Sequence, residues 1–345
     1  MIDPSHYIES ILSLRQPNMT LTAFKAKTRC LSLLLTFSAS LGIASCGGSG
    51  GNSSDTTPSS ANAKGANVSN LPAAAPAASS APNPILAKNS KRGIAFDLAS
   101  PADFAAVASG VSWWYNWGSA PNAAVPADYR TRYGMDFLPM LWNGSFNTND
   151  IIAYLTANPS IKYMLVLNEP NLTDQSDMTP SQAAALWPQY EYIAAQTGVK
   201  IVGPAMNWGT LPGYEDPVVW LDEFYADYRA ANGNRDPQID YLAFHWYDYG
   251  LASQLDRLDK YGKQIWVTEF ANWHSQLDGA QVDTLAAQEA QMQDMVATCE
   301  SRSDVFRYAW FTGRLSPDPH YTSLLAADGQ LTALGAEYLS LPGGQ

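Results

Sequence analysis

The chain has 345 residues, of which 46% are hydrophobic and 12% aromatic, so it can bury a substantial core but is too polar for a multi-span membrane protein. Its formal net charge is -12, from 20 basic and 32 acidic residues. Nucleic acids and anionic lipid surfaces both require a basic footprint on the protein, so this charge balance argues against either as a partner.

Residues 1–45 have the pattern of an export signal. The basic segment "KAKTR" precedes the apolar run "CLSLLLTFSASLGIAS", which is too short to span a bilayer. Met19 is an alternative start to Met1, and in that case residues 1–18 form an upstream extension.

The signal ends in "IASC", which resembles the lipobox of bacterial lipoproteins and makes Cys46 the predicted lipidation site. Gly47 follows and is not an aspartate, which by resemblance to Gram-negative sorting rules favours the outer membrane or cell surface. The alternative is an ordinary signal peptide cut near Ala44, which would give a secreted protein. A lipid at Cys46 would be the only link to a membrane.

Residues 46–89 are rich in Gly, Ser, Asn, Ala and Pro and contain almost no aromatic residues. Such a segment cannot bury enough apolar surface to order itself, so we expect a disordered linker. Residues 90–345 then form one predicted domain.

Eight short apolar runs in this domain have the length and composition of buried strands. They cover residues 92–98, 111–117, 136–141, 163–169, 200–207, 241–247, 264–270 and 305–311. Helical patterns lie between most of them, such as "SPADFAAVAS", in which Ser100 is placed to cap a helix. This alternation predicts parallel strands joined by crossovers.

Eight such units in about 250 residues predict an α/β fold, a single (β/α)8 TIM barrel. The competing fold is a doubly wound open sheet. The segment "FDLASPAD" after the first strand, however, lacks the glycine-rich phosphate fingerprint of that fold. The helical patterns after the second and third strands are poor, so we expect the barrel to be irregular there.

Two predicted strands end in a glutamate. Glu169 ends the fourth strand in "LNEP", and Glu269 ends the seventh in "VTEF". By strand alternation Glu169 shares a face with Leu165 and Leu167, and Glu269 shares one with Val267. Because barrel enzymes carry their chemistry at the carboxyl ends of the strands, we expect both carboxylates to project over the barrel opening.

Two carboxyl groups facing across a cleft are typical of glycoside hydrolysis. One protonates the leaving oxygen, and the other attacks the anomeric carbon or activates water. For either glutamate alone, an ion pair with Arg or Lys at a loop entrance is the simpler explanation. The two together favour catalysis.

The segments "MLVLNEPN", "FHWYDY" and "IWVTEFA" resemble glycoside hydrolase family 128, the β-1,3-glucanase group of clan A. The resemblance covers roughly residues 91–341. It implies that Glu169 is the acid/base and Glu269 the nucleophile of a retaining endo-β-1,3-glucanase, and that Asn168 binds the sugar 2-hydroxyl. The implied partner is a β-glucan, and no cofactor is implied.

Further residues at strand ends are predicted to bind substrate. Tyr247 shares a face with His245 and is placed to hold Glu269 ionised through a hydrogen bond, while His245 is equally well explained as a core histidine. Indole faces stack well on sugar rings. The remaining candidates are Asn207, Trp208, Trp114, Trp117, Trp273 and Trp310.

Other constellations are missing from the sequence. The four histidines show no paired metal-ligand spacing, so no metal is expected, and no P-loop or nucleophile elbow is present. Two other functions stay open. One is another clan A β-glycanase that cuts β-1,4-glucan or mannan, and the other is a non-catalytic surface glycan-binding lipoprotein. We expect a monomer.

Overall fold

The structure is a computed structural model that describes residues 88–343. The predicted signal peptide, its lipidation cysteine and most of the linker lie outside the described residues. Lys88, which the sequence assigned to the linker, bonds to the domain: its Nζ donates to the carbonyl oxygens of Tyr133 and Gly134 at 2.9 and 2.8 Å.

Nine parallel strands form one curled sheet within the described residues. They are β1 (Arg92–Ala95), β2 (Trp113–Tyr115), β3 (Asp136–Phe137), β4 (Met140–Leu141), β5 (Tyr163–Val166), β6 (Lys200–Met206), β7 (Tyr241–Trp246), β8 (Ile265–Phe270) and β9 (Val305–Trp310). Hydrogen-bonded neighbours run in the order β3-β2-β1-β9-β8-β7-β6-β5-β4. The two end strands are consecutive in sequence, so both ends of the sheet lie at one short segment of chain.

That segment is the third predicted strand, residues 136–141, which the structure divides in two. Its first half, β3, pairs with β2, and its second half, β4, pairs with β5. Pro139 lies at the break and has no N–H to donate to a ladder. Its carbonyl accepts from the Leu165 N–H at 2.9 Å, while the Met140 N–H donates to the Gly118 carbonyl at 2.9 Å. The two halves of this interrupted strand are therefore the two end strands of the sheet.

Eight α-helices among the described residues follow the strands, one after each strand when β3 and β4 are counted together. They are α1 (Pro101–Val107), α2 (Tyr129–Tyr133), α3 (Thr148–Ala157), α4 (Pro180–Thr197), α5 (Pro217–Ala231), α6 (Leu251–Leu258), α7 (Leu285–Ser301) and α8 (Ala333–Ser340). The predicted α/β, TIM-like fold is confirmed. The expected irregularity is present after the second predicted strand, where α2 has only five residues, but not after the third, where α3 has ten.

Local start signals explain where several helices begin. The Ser100 side chain accepts from the backbone N–H groups of Ala102 and Asp103, as predicted for α1. Thr179 and Gln182 form a reciprocal capping box at the start of α4. These caps satisfy N–H groups that the first helical turn leaves without partners.

The core fills the inside of the sheet and the layer between the sheet and its helices. Cys299 in α7 belongs to this core, and burial raises the pKa of its thiol, so it is a packing residue there. Among residues 88–343, the helices are too short or too polar to cross a bilayer.

Gly203 in β6 provides a test of the packing that supports the site. Its φ is +147°, and a Cβ there would lie 2.5 Å from the Val166 carbonyl oxygen in β5. We expect Gly203→Ala to lower the free energy of unfolding by about 2 kcal/mol or more, because backbone strain and steric overlap each cost about 1–3 kcal/mol. Urea denaturation measures the change.

Gly213 is the matched control. Its φ is also positive, +84°, but a Cβ there would meet no atom within 4 Å. Gly213→Ala should therefore lose only the conformational part of the stability. Equal losses in the two variants would contradict the close approach of β6 to β5.

Candidate active site

Glu169 lies beyond the end of β5, in a turn with unusual backbone angles. Leu167 and Glu169 have φ values of 52° and 45°, in the left-handed region that residues other than glycine rarely adopt. The turn is bonded to β6: the Glu169 N–H donates to the Ala205 carbonyl at 2.8 Å, and the Ala205 N–H donates to the Leu167 carbonyl at 2.9 Å. The predicted strand alternation ends at Val166, so this turn determines the position of the Glu169 carboxyl group.

The Glu169 carboxyl group is fully buried, and hydrogen bonds from two neighbouring strands reach its Oε1. Asn207 Nδ2, just past β6, donates at 3.0 Å, and His245 Nδ1 in β7 lies 2.8 Å away. His245 Nε2 is 2.9 Å from the Thr268 hydroxyl. When that hydroxyl donates to Nε2, Nδ1 carries the ring proton and donates to Glu169. Asn207 and His245, two predicted substrate-binding residues, therefore orient the carboxyl group of Glu169.

Glu269 in β8 accepts hydrogen bonds from three aromatic side chains. The Tyr115 hydroxyl and the Trp117 indole N–H each donate to Oε1 at 2.8 Å, and the Tyr247 hydroxyl donates to Oε2. These donors stabilise a carboxylate that is 1% exposed and would otherwise be costly to bury. Burial, together with the adjacent Glu269 charge, raises the pKa of Tyr115 well above its usual value, so this phenol stays protonated and donates.

A bulge in β8 places Glu269. In the pairing of β7 with β8, Phe244 lies opposite Val267, and the next residue of β7, His245, lies opposite Glu269. Thr268 is therefore an extra residue on β8. Strict alternation would send Thr268 and Glu269 to opposite faces. Here both contact the same imidazole: Thr268 Oγ1 lies 2.9 Å from His245 Nε2, and Glu269 Oε2 lies 3.6 Å from His245 Nδ1.

The two carboxyl groups and one imidazole form a compact cluster. One oxygen of Glu169, one oxygen of Glu269 and one ring nitrogen of His245 all lie within 4.8 Å of one another. Carboxylates and imidazoles are also common metal ligands, so these three residues are the ones that could hold a cation. The expectation that no metal is required stays a prediction.

Asn168 is buried beside Glu169 with only part of its amide engaged. Its Nδ2 donates to Gln175 Oε1 at 3.1 Å, while Oδ1 is buried without a hydrogen-bond partner among residues 88–343. A buried acceptor without a donor is costly. A hydroxyl group of a ligand would supply that donor, which is consistent with the sugar contact predicted for Asn168.

Trp114 and Trp310, two predicted substrate-binding residues, are core residues in the structure. Both are fully buried and pack towards helices: the Trp114 ring lies 5.2 Å from that of Phe104 in α1, and the Trp310 ring lies 6.1 Å from that of Tyr338 in α8. The reason is strand alternation, because Trp114 faces away from the side of β2 that carries Tyr115. A subsite role for these two indoles is therefore wrong for this structure.

The other predicted tryptophans lie at the carboxyl end of the sheet. Trp117 and Trp208 are half-buried just past β2 and β6. Trp273, just after β8, is buried with its ring 4.6 Å from that of Tyr247. Trp142, which the sequence analysis missed, is half-buried directly after β4. Three indoles thus keep accessible surface at this end.

A family model described as glycosyl hydrolase catalytic core matches residues 93–338. The chain is also similar to the crystal structure of a glycoside hydrolase family 128 (subgroup II) endo-β-1,3-glucanase from Pseudomonas viridiflava. The identity is 61% and the TM-score 0.74, over 74% of this chain and 99% of that one. This chain belongs to glycoside hydrolase family 128.

Two further proteins are also similar to this chain. A subgroup II endo-β-1,3-glucanase from Sorangium cellulosum is 33% identical with a TM-score of 0.61, over 74% of this chain and 100% of that one. Alkali-sensitive linkage protein 1 of Schizosaccharomyces pombe is 27% identical over 266 residues, which is 72% of this chain and 44% of the relative. The chain thus spans less than half the length of that relative.

Tyr115 and Thr268 contact the cluster of Glu169, His245 and Glu269 but were not predicted from the sequence. The signal for Tyr115 is present in "VSWWYNW", because Tyr115 and Trp117 share a strand face that excludes Trp114. Thr268 had no such signal. Its contact depends on the bulge, which the apolar pattern of β8 does not reveal.

Tyr115→Phe tests whether the donors to Glu269 matter. We expect the rate of polysaccharide hydrolysis to fall roughly 10- to 100-fold, since a hydrogen bond to a charged group contributes about 1.5–3 kcal/mol. Steady-state kinetics measures the change. Tyr225→Phe is the control, because the buried Tyr225 hydroxyl has no hydrogen-bond partner among the described residues. Full activity in Tyr115→Phe would show that this hydrogen bond is dispensable.

Proposed function

We propose that this family 128 member is a retaining endo-β-1,3-glucanase. The observation that carries the proposal is the close approach of two buried glutamates. One carboxylate oxygen of Glu169 lies within 4.8 Å of one carboxylate oxygen of Glu269. Carboxyl groups about 5–5.5 Å apart suit a retaining enzyme, whereas inverting enzymes separate them by about 6.5–9.5 Å to admit a water. The solved relatives support the substrate: one subgroup I endo-β-1,3-glucanase from Amycolatopsis mediterranei was crystallised with laminaritriose, at 28% identity and a TM-score of 0.56.

In the first step Glu169 acts as the general acid. Its Oε1 accepts a hydrogen bond from Asn207 and lies within hydrogen-bond distance of His245 Nδ1. Because Oε1 is engaged in this way, we expect the transferable proton on Oε2. That proton passes to the glycosidic oxygen as the bond from this oxygen to the anomeric carbon breaks. The departing glucan leaves as a neutral alcohol.

Glu269 acts as the nucleophile in the same step. A carboxylate oxygen forms a bond to the anomeric carbon, which gives a covalent glycosyl-enzyme. The donors Tyr115, Trp117 and Tyr247 fix the orientation of the Glu269 carboxylate before the attack. Tyr115 and Trp117 lie in or just after β2, and Tyr247 lies directly after β7. Glu269 is therefore fixed by contacts from two different strands.

In the second step Glu169, now ionised, removes a proton from water. The water oxygen bonds to the anomeric carbon while the bond to Glu269 breaks, which regenerates both residues and restores the β configuration. His245 contacts both carboxyl groups, at 2.8 Å from Glu169 Oε1 and 3.6 Å from Glu269 Oε2. It is therefore placed to favour ionised Glu169 after the proton has left.

The three half-buried indoles support glucan binding along the carboxyl end. Trp117, Trp142 and Trp208 follow β2, β4 and β6, and an indole face provides a flat apolar surface for a glucosyl ring. Trp208 also stacks with the Arg257 guanidinium, whose carbon lies 5.7 Å from the ring centre. Several binding positions along a chain are what internal cleavage of a polymer requires.

The test is a product analysis with three polymers. The full chain is incubated with linear β-1,3-glucan, β-1,4-glucan and β-mannan, and the first product is followed by proton NMR. We expect short β-1,3 oligosaccharides that appear first as the β anomer. First appearance of the α anomer would contradict retention, and cleavage of only a β-1,4 polymer would contradict the substrate.

Matched variants assign the activity to the site. Glu269→Gln should lower the rate by about a thousandfold or more, which is several kcal/mol of lost transition-state stabilisation. Glu223→Gln removes the same charge from an exposed position on α5 and should leave the rate unchanged. If Glu269→Gln kept the wild-type rate, the nucleophile would have to be another group.

We also propose that the chain is exported and attached to the outer membrane or cell surface through a lipid on Cys46. The support is the "IASC" lipobox after a basic and apolar signal, followed by a linker rich in small residues. Incorporation of a labelled fatty acid into the wild type but not into Cys46→Ser checks it. Labelling of both, or of neither, would refute the anchor.

A further inference from the structure

A cavity lies at the opposite end of the sheet from Glu169 and Glu269. Its volume is about 400 Å³, and it is lined by residues at the amino ends of β3, β5 and β9 together with the start of α2. Tyr163 is the first residue of β5, whereas Glu169 lies in the turn beyond the other end of this strand. The cavity, which we call the amino-end cavity, is therefore separate from the site of hydrolysis.

Arg307 lines the amino-end cavity with one guanidinium nitrogen that has no hydrogen-bond partner among the described residues. It is the third residue of β9 and is half-buried, with its guanidinium carbon 5.0 Å from the ring centre of Trp266 and 5.2 Å from that of Tyr163. Its Nη1 is buried without a hydrogen-bond partner among residues 88–343. A buried donor on a charged group is costly when nothing accepts from it.

The charges around Arg307 leave the cavity positive. Asp136 is the acid that lines it, but Asp136 Oδ1 pairs with Arg130 Nε at 2.8 Å. Lys162 also lines it and is exposed, with one of its three Nζ donors spent on the Pro159 carbonyl at 2.7 Å. Burial lowers the pKa of the Arg307 guanidinium, and the nearby Tyr163 and Asp136 only partly oppose this. Within residues 88–343, Arg307 and Lys162 thus line the cavity as two cations without a salt bridge, in a chain whose net charge is -12.

We propose that the amino-end cavity binds an oxyanion group, a carboxylate or a phosphate, with Arg307 as its charge partner and Lys162 beside it. Guanidinium groups match the planar geometry of such anions, and charge-assisted hydrogen bonds are the stronger kind. A cavity of about 400 Å³ falls within the usual range of about 300–1,000 Å³ for small-molecule sites. It has room for a sugar acid or a sugar phosphate, with the Tyr163 ring as an apolar wall.

Isothermal titration calorimetry of the full chain tests the proposal. The probes are inorganic phosphate, glucuronate and glucose, each at an ionic strength fixed with sodium chloride. We expect phosphate or glucuronate to bind in a way that requires Arg307, and glucose, which lacks the anionic group, to bind more weakly than glucuronate. Phosphate alone would identify a phosphate site, and tighter glucuronate would identify a sugar-acid site.

Variants locate the binding. Arg307→Gln should weaken the affinity roughly tenfold or more, because it removes a charge-assisted donor. Arg229→Gln also removes one arginine charge, from an exposed surface pair on α5, and should bind as the wild type does. Polysaccharide hydrolysis should be unchanged in both, because both residues lie outside the catalytic cluster.

Lys162→Gln keeps the test decisive if Arg307→Gln does not fold. Lys162 is exposed, so its substitution should preserve the fold and still weaken oxyanion binding. Three results would overturn the proposal. These are no binding of either anion by the wild type, equal binding of glucose and glucuronate, or oxyanion binding that Arg307→Gln and Lys162→Gln both leave intact.

Discussion

The burial of two carboxyl groups within 4.8 Å of each other is the constraint on which the active end of this protein depends. Buried charges this close repel each other and lose their hydration, so each needs its own donors. The donors are Asn207, His245, Tyr115, Trp117 and Tyr247. They come from three separate strands or their ends, so only a sheet curled on itself brings them together.

Backbone distortion is part of the same arrangement. Glu169 reaches its position through positive φ at Leu167 and at Glu169 itself, and Glu269 reaches its position through a bulge at Thr268. A residue held at positive φ, as Leu167 and Glu169 are, costs about 1–3 kcal/mol and persists only where surrounding contacts impose it. Here two hydrogen bonds with Ala205 in β6, one donated by its N–H and one accepted by its carbonyl, hold the first turn, and pairing with β7 holds the bulge. Stability is therefore lowered locally to position the reacting groups.

Much of the fold could be predicted because its cause is local. Apolar runs gave all eight predicted strands, and the capping residue Ser100 gave the start of α1. The break at Pro139 was not predicted, because a proline inside an apolar run shows that a ladder bond is missing but does not show which neighbour each half will choose.

Site residues could be predicted where their position at the end of a strand marked them. They could not be predicted where their contacts depend on three-dimensional packing. Glu169 and Glu269 were found because a carboxylate after a buried strand is unusual. Trp114 was misassigned and Tyr115 missed, although strand alternation separates them in the sequence. The contact of Thr268 with His245 could not be read from the sequence, because it depends on an extra residue in one strand.

In the proposed mechanism Glu269 forms the covalent bond to the sugar. The most direct measurement is mass spectrometry of the full chain after incubation with a β-1,3-linked oligosaccharide that carries 2-fluoro and an activated leaving group at its reducing end. Such a reagent forms the intermediate but releases it slowly. We expect one added oligosaccharide, located by peptide fragmentation on Glu269. Turnover of polymer without any adduct, or an adduct on Glu169, would contradict it.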